Sequence, residues 1–266
     1  MRKSIFLAHI HETVQQRGGT LKEWLIKTRE LGFEGLECDY ADLEKDPKAF
    51  AAMLAEVGLE IASVPYFFFF ERGVDPQKIR TVVCNVAAAG GKKLLAIPGE
   101  LDGTCPNALD RMVEGLTILC KEAEQAGITV SLEDFGDIKS PCCSMEGLKY
   151  FFDRVPGLKF NMDTGNFLCM GADLLDSSRP FMDRLAHIHL KDWCLAPLYA
   201  DQAYLEATDG AKLYSSPVGG GVIPMEQALA MAEAAGYDGF CSAEHYGVAD
   251  QWGFVVKSAA WMADHM

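Results

Sequence analysis

The sequence predicts an α/β protein folded as a single closed (β/α)8 barrel. Eight short apolar segments rich in β-formers alternate with segments of helical periodicity, the pattern of parallel βαβ units. The chain has 266 residues, and barrels of this kind use roughly 250. No linker or change in composition interrupts it, so residues 1–266 are expected to form one domain. The predicted strands are 4–10, 33–39, 59–65, 93–98, 128–134, 158–163, 185–190 and 239–244.

A helix is predicted after each strand. In four places a glycine stands where a helix must end before the next strand, because glycine adopts the left-handed conformation at low cost. These glycines are Gly32, Gly58, Gly127 and Gly236. A doubly wound sheet is the alternative, but residues 9–12 do not supply the glycine-rich phosphate loop typical of its first turn. The predicted helices are 20–31, 47–57, 75–89, 106–126, 144–154, 172–183, 224–235 and 248–264.

Composition and charge argue against nucleic acids and membranes as binding partners. The formal net charge of −14 repels phosphate backbones and makes nucleic-acid binding unfavourable. No apolar run approaches the roughly 20 residues that span a bilayer. The nine cysteines are odd in number and show no Cys-x-x-Cys spacing, which indicates reduced thiols. We therefore expect a cytoplasmic protein that acts on a small molecule.

Four polar side chains are predicted at the carboxyl ends of the last four strands: Glu133, Asp163, His189 and Glu244. Each alone could cap a helix or pair with a base. Together on one rim the carboxylates would repel strongly unless a cation neutralised them. Three oxygens and one imidazole suit one divalent metal ion, with Mn²⁺, Mg²⁺ or Co²⁺ favoured and Zn²⁺ acceptable.

The alternation of side chains along a strand adds two constraints. His187 and His189 point to the same face, so strand geometry alone does not choose between them as a ligand. Glu133 and Asp134 point to opposite faces, so only one of them can face into the barrel.

Several motifs occur in an order that resembles a known superfamily. They are Ser-Leu-Glu (131–133), Met-Asp-Thr-Gly-Asn (162–166), His-Ile-His-Leu-Lys-Asp (187–192), Gly-Gly-Gly-Val-Ile-Pro (219–224), Gly-Tyr-Asp-Gly (236–239) and Ala-Glu-His (243–245). The chain resembles, along essentially its whole length, the sugar phosphate isomerase/epimerase superfamily with its xylose-isomerase-like barrel. Relatives in that superfamily include ketose 3-epimerases, hydroxypyruvate isomerases and inosose dehydratases.

The resemblance implies roles for individual residues. It places the metal ligands on Glu133, Asp163, His189 and Glu244, and makes Glu133 and Glu244 the catalytic pair that transfers a proton through a metal-stabilised enediolate. His187 then either faces the substrate or is structural. Asn166 stands where ketose 3-epimerases commonly have a histidine, and Lys-Asp-Trp (191–193) stands where they carry an arginine, which leaves the particular reaction open.

Further residues on the predicted rim are candidates for contact with a sugar or polyol substrate: His9, His11, Glu37, Asn166, His187, Lys191 and Trp193. For the histidines, a hydrogen bond to a backbone carbonyl is an equal alternative. The rim has few cationic residues, which favours an unphosphorylated polyol or keto-sugar. The segment Gly219-Gly220-Gly221 could hold a phosphate at a helix N-terminus, although a flexible turn is the favoured interpretation.

Two loops after predicted strands stand out. About thirty residues, from Trp193 to Val222, separate the seventh strand from the next helix, and loops of this length are usually functional. The second loop carries four successive phenylalanines, Phe67 to Phe70, which could contact a ligand or form a subunit interface. The interface is favoured, and with it a homo-oligomer.

The leading hypothesis is a metal-dependent sugar isomerase or epimerase. One alternative is an inosose-type dehydratase that uses the same metal site. Another is a relative of the apurinic-site endonucleases, which bind three metals with many more histidines than the six present here. The last is a catalytically silent carbohydrate-binding barrel.

Overall fold

Eight parallel strands close into a barrel in the computed structural model, which describes residues 1–266. The strands are β1 Arg2–Phe6, β2 Gly35–Glu37, β3 Glu60–Phe67, β4 Lys93–Ile97, β5 Thr129–Glu133, β6 Lys159–Asp163, β7 Leu185–Cys194 and β10 Phe240–Glu244. Each pairs with the next, β10 pairs with both β7 and β1, and this closes the ring. The predicted (β/α)8 barrel is confirmed.

Helices surround the barrel. They are α1 Leu7–Arg17, α2 Leu21–Glu30, α3 Tyr40–Leu43, α4 Pro47–Val57, α5 Pro76–Ala88, α6 Ala108–Gln125, α7 Met145–Arg154, α8 Asn166–Cys169, α9 Leu174–Ser178, α10 Met225–Ala234 and α11 Gln251–His265. Side chains that accept a backbone N–H begin several of them: Thr20 forms a capping box with Glu23, and Asp46 and Asp75 each precede a proline in the first turn. Gly32, Gly58, Gly127 and Gly236 all have positive φ, as predicted.

The predicted first strand, 4–10, is wrong in its second half. The strand ends at Phe6 and the chain turns directly into α1 at Leu7. Leu7, Ile10 and Val14 have the three- and four-residue spacing of an amphipathic helix, and burying that face stabilises a helix better than continued pairing. The apolar run of β1 continues directly into the apolar face of α1, so the sequence pattern does not show where the strand ends. His9 and His11 therefore lie on a helix.

The long connection after β7 forms a β-hairpin. Its strands are β8 Tyr204–Glu206 and β9 Lys212–Ser216, and β9 pairs antiparallel with the end of β7. The extra sheet extends β7 beyond the barrel, to Cys194, and carries the hairpin over the carboxyl ends of the barrel strands. No element was predicted here, because a three-residue strand has no periodicity that distinguishes it from a loop.

One large apolar cluster joins the barrel interior to the inner faces of the helices. Two of the four successive phenylalanines belong to it: Phe68 and Phe70 are buried and stack with ring centroids 4.8 Å apart. Phe67 points the other way and is 47% exposed. The subunit interface proposed for this segment stays a prediction. None of the helices is long and apolar enough to cross a membrane.

Candidate metal and substrate site

The four predicted metal ligands meet at the carboxyl end of the barrel. Glu133, Asp163 and Glu244 are the last residues of β5, β6 and β10, and His189 lies in β7, in register with Asp163. All four are buried. From Nδ1 of His189, the nearest oxygen is 3.1 Å away on Glu133, 3.3 Å on Glu244 and 3.7 Å on Asp163.

This group of donors fits a divalent cation. Nδ1 of His189 is buried and has no hydrogen-bond partner, yet three carboxylates surround it. Ligand atoms of Glu133, Asp163 and His189 all lie within 4.8 Å of one another, close enough to bind a single ion. Carboxylate oxygens and one imidazole nitrogen suit hard or borderline metals, and no thiolate is present to select a soft one.

Lys191 enters the same cluster, which the sequence did not predict. Its ammonium nitrogen is 2.9 Å from Oδ2 of Asp163 and 2.6 Å from Oε1 of Glu244. Burial opposes ionisation of Asp163, but Lys191 and His189 outweigh it and lower the pKa of Asp163 to about 2. For Glu244 burial prevails over Lys191 and raises its pKa to about 8. The balance between burial and the nearby positive charges therefore differs at the two carboxyl groups: it favours the ionised form of Asp163 and the protonated form of Glu244.

Backbone and side-chain hydrogen bonds hold Asp163 in one orientation. Its Oδ1 accepts the N–H groups of Gly165 and Asn166 at 2.8 and 3.0 Å, which directs Oδ2 towards the cluster. Asp134 accepts the N–H of Asp163 at 3.0 Å, and the amide of Asn166 donates to the carbonyl of Asp134. Glu133 faces the cavity and Asp134 faces away, so the constraint that only one of them faces inward is met.

Behind His189 lies a second layer of buried polar groups. Glu37, at the end of β2, accepts a hydrogen bond through Oε2 from Nε2 of His187 at 2.7 Å and from Oγ of Ser242 at 2.8 Å. Its other oxygen lies 3.2 Å from Nε2 of His189. Burial lowers the pKa of His187 to about 4, so this imidazole is neutral. Glu37 thus faces the Nε2 side of His189 and leaves Nδ1 turned to the carboxylates.

Replacing Glu37 with glutamine is expected to weaken metal binding about 10- to 100-fold, the usual cost of losing a carboxylate that orients a ligating histidine. Titration of the metal-free protein with Mn²⁺ or Zn²⁺ would measure this. Glu71→Gln is the matched control, because Glu71 is equally buried but lies outside the cluster. Unchanged affinity in Glu37→Gln would show that Glu37 does not orient the site.

A cavity of about 780 Å³ opens above the cluster. Among the residues predicted to contact metal or substrate, it is lined by Glu133, Asn166, His189, Lys191, Trp193 and Glu244. Asn166 accepts from the ammonium of Lys191, and the indole N–H of Trp193 donates to the carbonyl of Gly165, so both side chains are held in place. Glu37 and His187 lie beneath this floor and do not line the cavity.

His9 and His11 do not line the cavity either, because they lie on α1. Nε2 of His9 accepts the backbone N–H of His245 at 3.0 Å, and the two rings stack 4.6 Å apart. His11 is on the outer face, where its Nε2 is 3.0 Å from Oδ1 of Asp42. A helix turns successive side chains by about 100°, so these two histidines cannot share a direction as they would on a strand.

The Gly219-Gly220-Gly221 segment binds an internal carboxylate. Asp192 accepts the N–H groups of Trp193, Gly221 and Ile223 at 2.8 to 3.2 Å. The N–H of Gly220 donates to the carbonyl of Pro217 at 2.9 Å, so the N–H groups of Gly220 and Gly221 already have partners within the chain. The structure favours the turn over the phosphate site.

Phe67, which the sequence analysis named as a possible ligand contact, lines the cavity. Sequence reasoning missed several other lining residues: Phe6, Phe135, Ile138 and Tyr246. Apolar side chains at strand ends look the same in sequence whether they face the core or a cavity. Only for Tyr246 was there a signal, since it follows Glu244-His245 at the end of the last strand.

The chain belongs to the xylose isomerase-like TIM barrel family, whose model matches residues 25–265. None of the curated proteins compared with the chain matches it in sequence.

Solved structures share the fold at low sequence identity. The probable 3-DHS dehydratase AsbF from Bacillus anthracis is 17% identical, with a TM-score of 0.77 and 99% of each chain covered. An IolI protein with a bound zinc atom is 17% identical, with a TM-score of 0.74 over 99% of this chain and 97% of that one. A D-allulose 3-epimerase from Methylomonas sp., in complex with D-allulose, is 14% identical, with a TM-score of 0.74 over 100% and 97%.

Proposed function

We propose that this protein is a divalent-metal-dependent isomerase or epimerase of a small hydroxy-carbonyl compound of the sugar type. The observation that carries the proposal is the convergence of Glu133, Asp163 and Glu244 on the unpartnered Nδ1 of His189 at the floor of a cavity. These four residues would hold the metal, with Mn²⁺, Mg²⁺ or Co²⁺ favoured. The whole chain would act as one catalytic domain.

When bound, such a cation acts as a Lewis acid on the carbonyl and neighbouring hydroxyl oxygens of the substrate, and lowers the cost of removing the adjacent C–H proton. The protein supplies the proton transfer. One of Glu133 and Glu244 takes the proton from the carbon next to the carbonyl, and the other carboxyl returns a proton. Return to the opposite face of the same carbon gives an epimer. Return to the former carbonyl carbon, with the hydroxyl proton moving to the former carbonyl oxygen, gives an isomer.

Two features of the pair support these roles. Both carboxyl groups line the cavity and flank the same nitrogen of His189. Their surroundings differ, because Lys191 holds Oε1 of Glu244 at 2.6 Å and has no such contact with Glu133. Two titratable groups in unequal environments can divide the acid and base roles. Asn166, Lys191 and Trp193 would contact the substrate.

Deuterium exchange tests the proposal directly. The metal-loaded protein in D₂O, incubated with ketohexoses, hydroxypyruvate and inososes, is expected to introduce deuterium at the carbon next to the carbonyl of at least one compound. Chelator-treated protein is the control. A product that has lost one molecule of water relative to the substrate would indicate a dehydratase instead. Absence of exchange with every compound and metal, despite metal binding, would favour a silent binding barrel.

A further inference from the structure

The floor of the cavity is formed by the candidate metal ligands, whereas its walls carry exposed apolar side chains. Apolar side chains from four separate segments face it: Phe67 at the end of β3, Ile138 after β5, Leu205 on the β8–β9 hairpin and Tyr246 after β10. These side chains are 37% to 72% exposed, with Ile138 the most exposed. Exposed apolar side chains that face one cavity favour a ligand with an apolar part. Polar side chains such as Asp39, Asp137 and Thr208 also line the cavity, so the apolar group would bind beside groups that can bind hydroxyls.

The volume of the cavity also favours a ligand larger than a simple sugar. Its volume of about 780 Å³ falls among pockets that enclose drug-sized ligands, which span about 300–1,000 Å³. A six-carbon sugar chelated at the floor would leave much of this volume filled with water, and the aromatic walls would stay uncovered. A substrate that reaches the walls must extend beyond a simple sugar.

The charge of the lining disfavours an anionic extension of the substrate. Five carboxylates line the cavity against one ammonium group, that of Lys191, which is already paired with Asp163 and Glu244. The glycine-rich segment, which could have held a phosphate, binds Asp192 instead. Negative charge in the lining repels a phosphorylated or carboxylated substrate.

We propose that the substrate is a neutral hydroxy-carbonyl compound that carries an apolar group of about the size of an aromatic ring. The hydroxy-carbonyl end binds at the floor, and the apolar group packs between Phe67, Ile138 and Tyr246. This inference rests on the proposed function for the reacting end, while the apolar walls carry it independently for the other end.

Matched ligands test the proposal by calorimetry on the metal-loaded protein. The compounds 1-hydroxybutan-2-one and 1-hydroxy-4-phenylbutan-2-one share the reacting end and differ only in the phenyl group. We expect the phenyl compound to bind at least about tenfold more tightly, which corresponds to ~1.4 kcal/mol. Dihydroxyacetone phosphate is expected to bind no better than dihydroxyacetone. Equal affinities for the first pair, or tighter binding of the phosphate, would overturn the proposal.

Substitutions of the apolar wall residues test where in the cavity the phenyl group binds. Ile138→Ser and Phe67→Ser are expected to reduce the preference for the phenyl compound severalfold, and both side chains are exposed enough for the fold to tolerate the change. Ile26→Ser is the matched control, because Ile26 is 43% exposed on α2 and does not line the cavity. A preference that both cavity variants retain in full would place the phenyl group elsewhere and refute the inference.

Deuterium exchange on the same two ligands separates the two proposals. A phenyl preference without exchange supports the apolar ligand class and contradicts the proton-transfer reaction. Exchange with both ligands at equal affinity supports the reaction and overturns the inference about the substrate.

Discussion

Glu244→Gln is expected to lower kcat by about 10²- to 10⁴-fold, the usual contribution of a positioned general acid or base. An amide has nearly the same shape as a carboxyl but neither accepts nor releases a proton at neutral pH. Glu133→Gln should cause a loss of similar size, because exchange needs both a base and an acid. Steady-state rates on the substrate that shows deuterium exchange, and the exchange rate itself, would measure the effect.

The control for this pair is Glu226→Gln, since Glu226 is exposed on α10 and does not line the cavity. Thermal unfolding of all three variants would show whether the fold survives. A folded Glu133→Gln or Glu244→Gln protein with a near-normal rate would remove that residue from the mechanism.

Among substitutions at the candidate metal site, Asp163→Asn should reduce metal affinity the most. The remaining oxygen can still accept the N–H groups of Gly165 and Asn166, but the ligand oxygen is replaced by an amide that donates. We expect a loss of affinity greater than the roughly 10–100-fold cost of changing an outer partner. Elemental analysis after dialysis would then find little metal. Metal should also no longer raise Tm, whereas saturation at 100 times Kd stabilises the wild type by about 2.7 kcal/mol.

Asp134→Asn is the matched control. Asp134 is buried beside Asp163 and accepts its backbone N–H, a role that an asparagine oxygen can keep. It does not line the cavity. Metal content that falls equally in both variants would mean that the site responds to any disturbance of this region, and that Asp163 is not a specific ligand.

The architecture was predictable because local rules and tertiary packing agree along most of the chain. Apolar runs of strand length, helices begun by residues such as Thr20 and Asp75, and glycines such as Gly58 with positive φ mark most elements within a few residues. The site was predictable in part for a topological reason. Parallel strands bring their carboxyl ends to one rim, so polar residues at those ends must become neighbours.

The end of the first strand and the structure of the long loop after β7 could not be predicted from local sequence pattern. Leu7 continues an apolar run that pattern alone assigns to a strand, and only packing against the barrel turns it into a helix. The β8–β9 hairpin pairs with β7 at its extended end, a contact between segments too short to show periodicity. In both cases non-local burial decided the structure.

The chain alone thus determines a barrel and nominates Glu133, Asp163, Glu244 and one of His187 and His189, since element order and strand ends follow from local pattern. The choice of His189 came from the family resemblance. Tertiary structure decides what surrounds them. It brings the ammonium of Lys191 between Asp163 and Glu244, places Glu37 behind His189 and lines the cavity with apolar side chains. These features depend on the direction of side chains on different strands and loops. The direction of each side chain is fixed only when the barrel closes, because its hydrogen bonds and ion pairs are made with residues far away in the sequence.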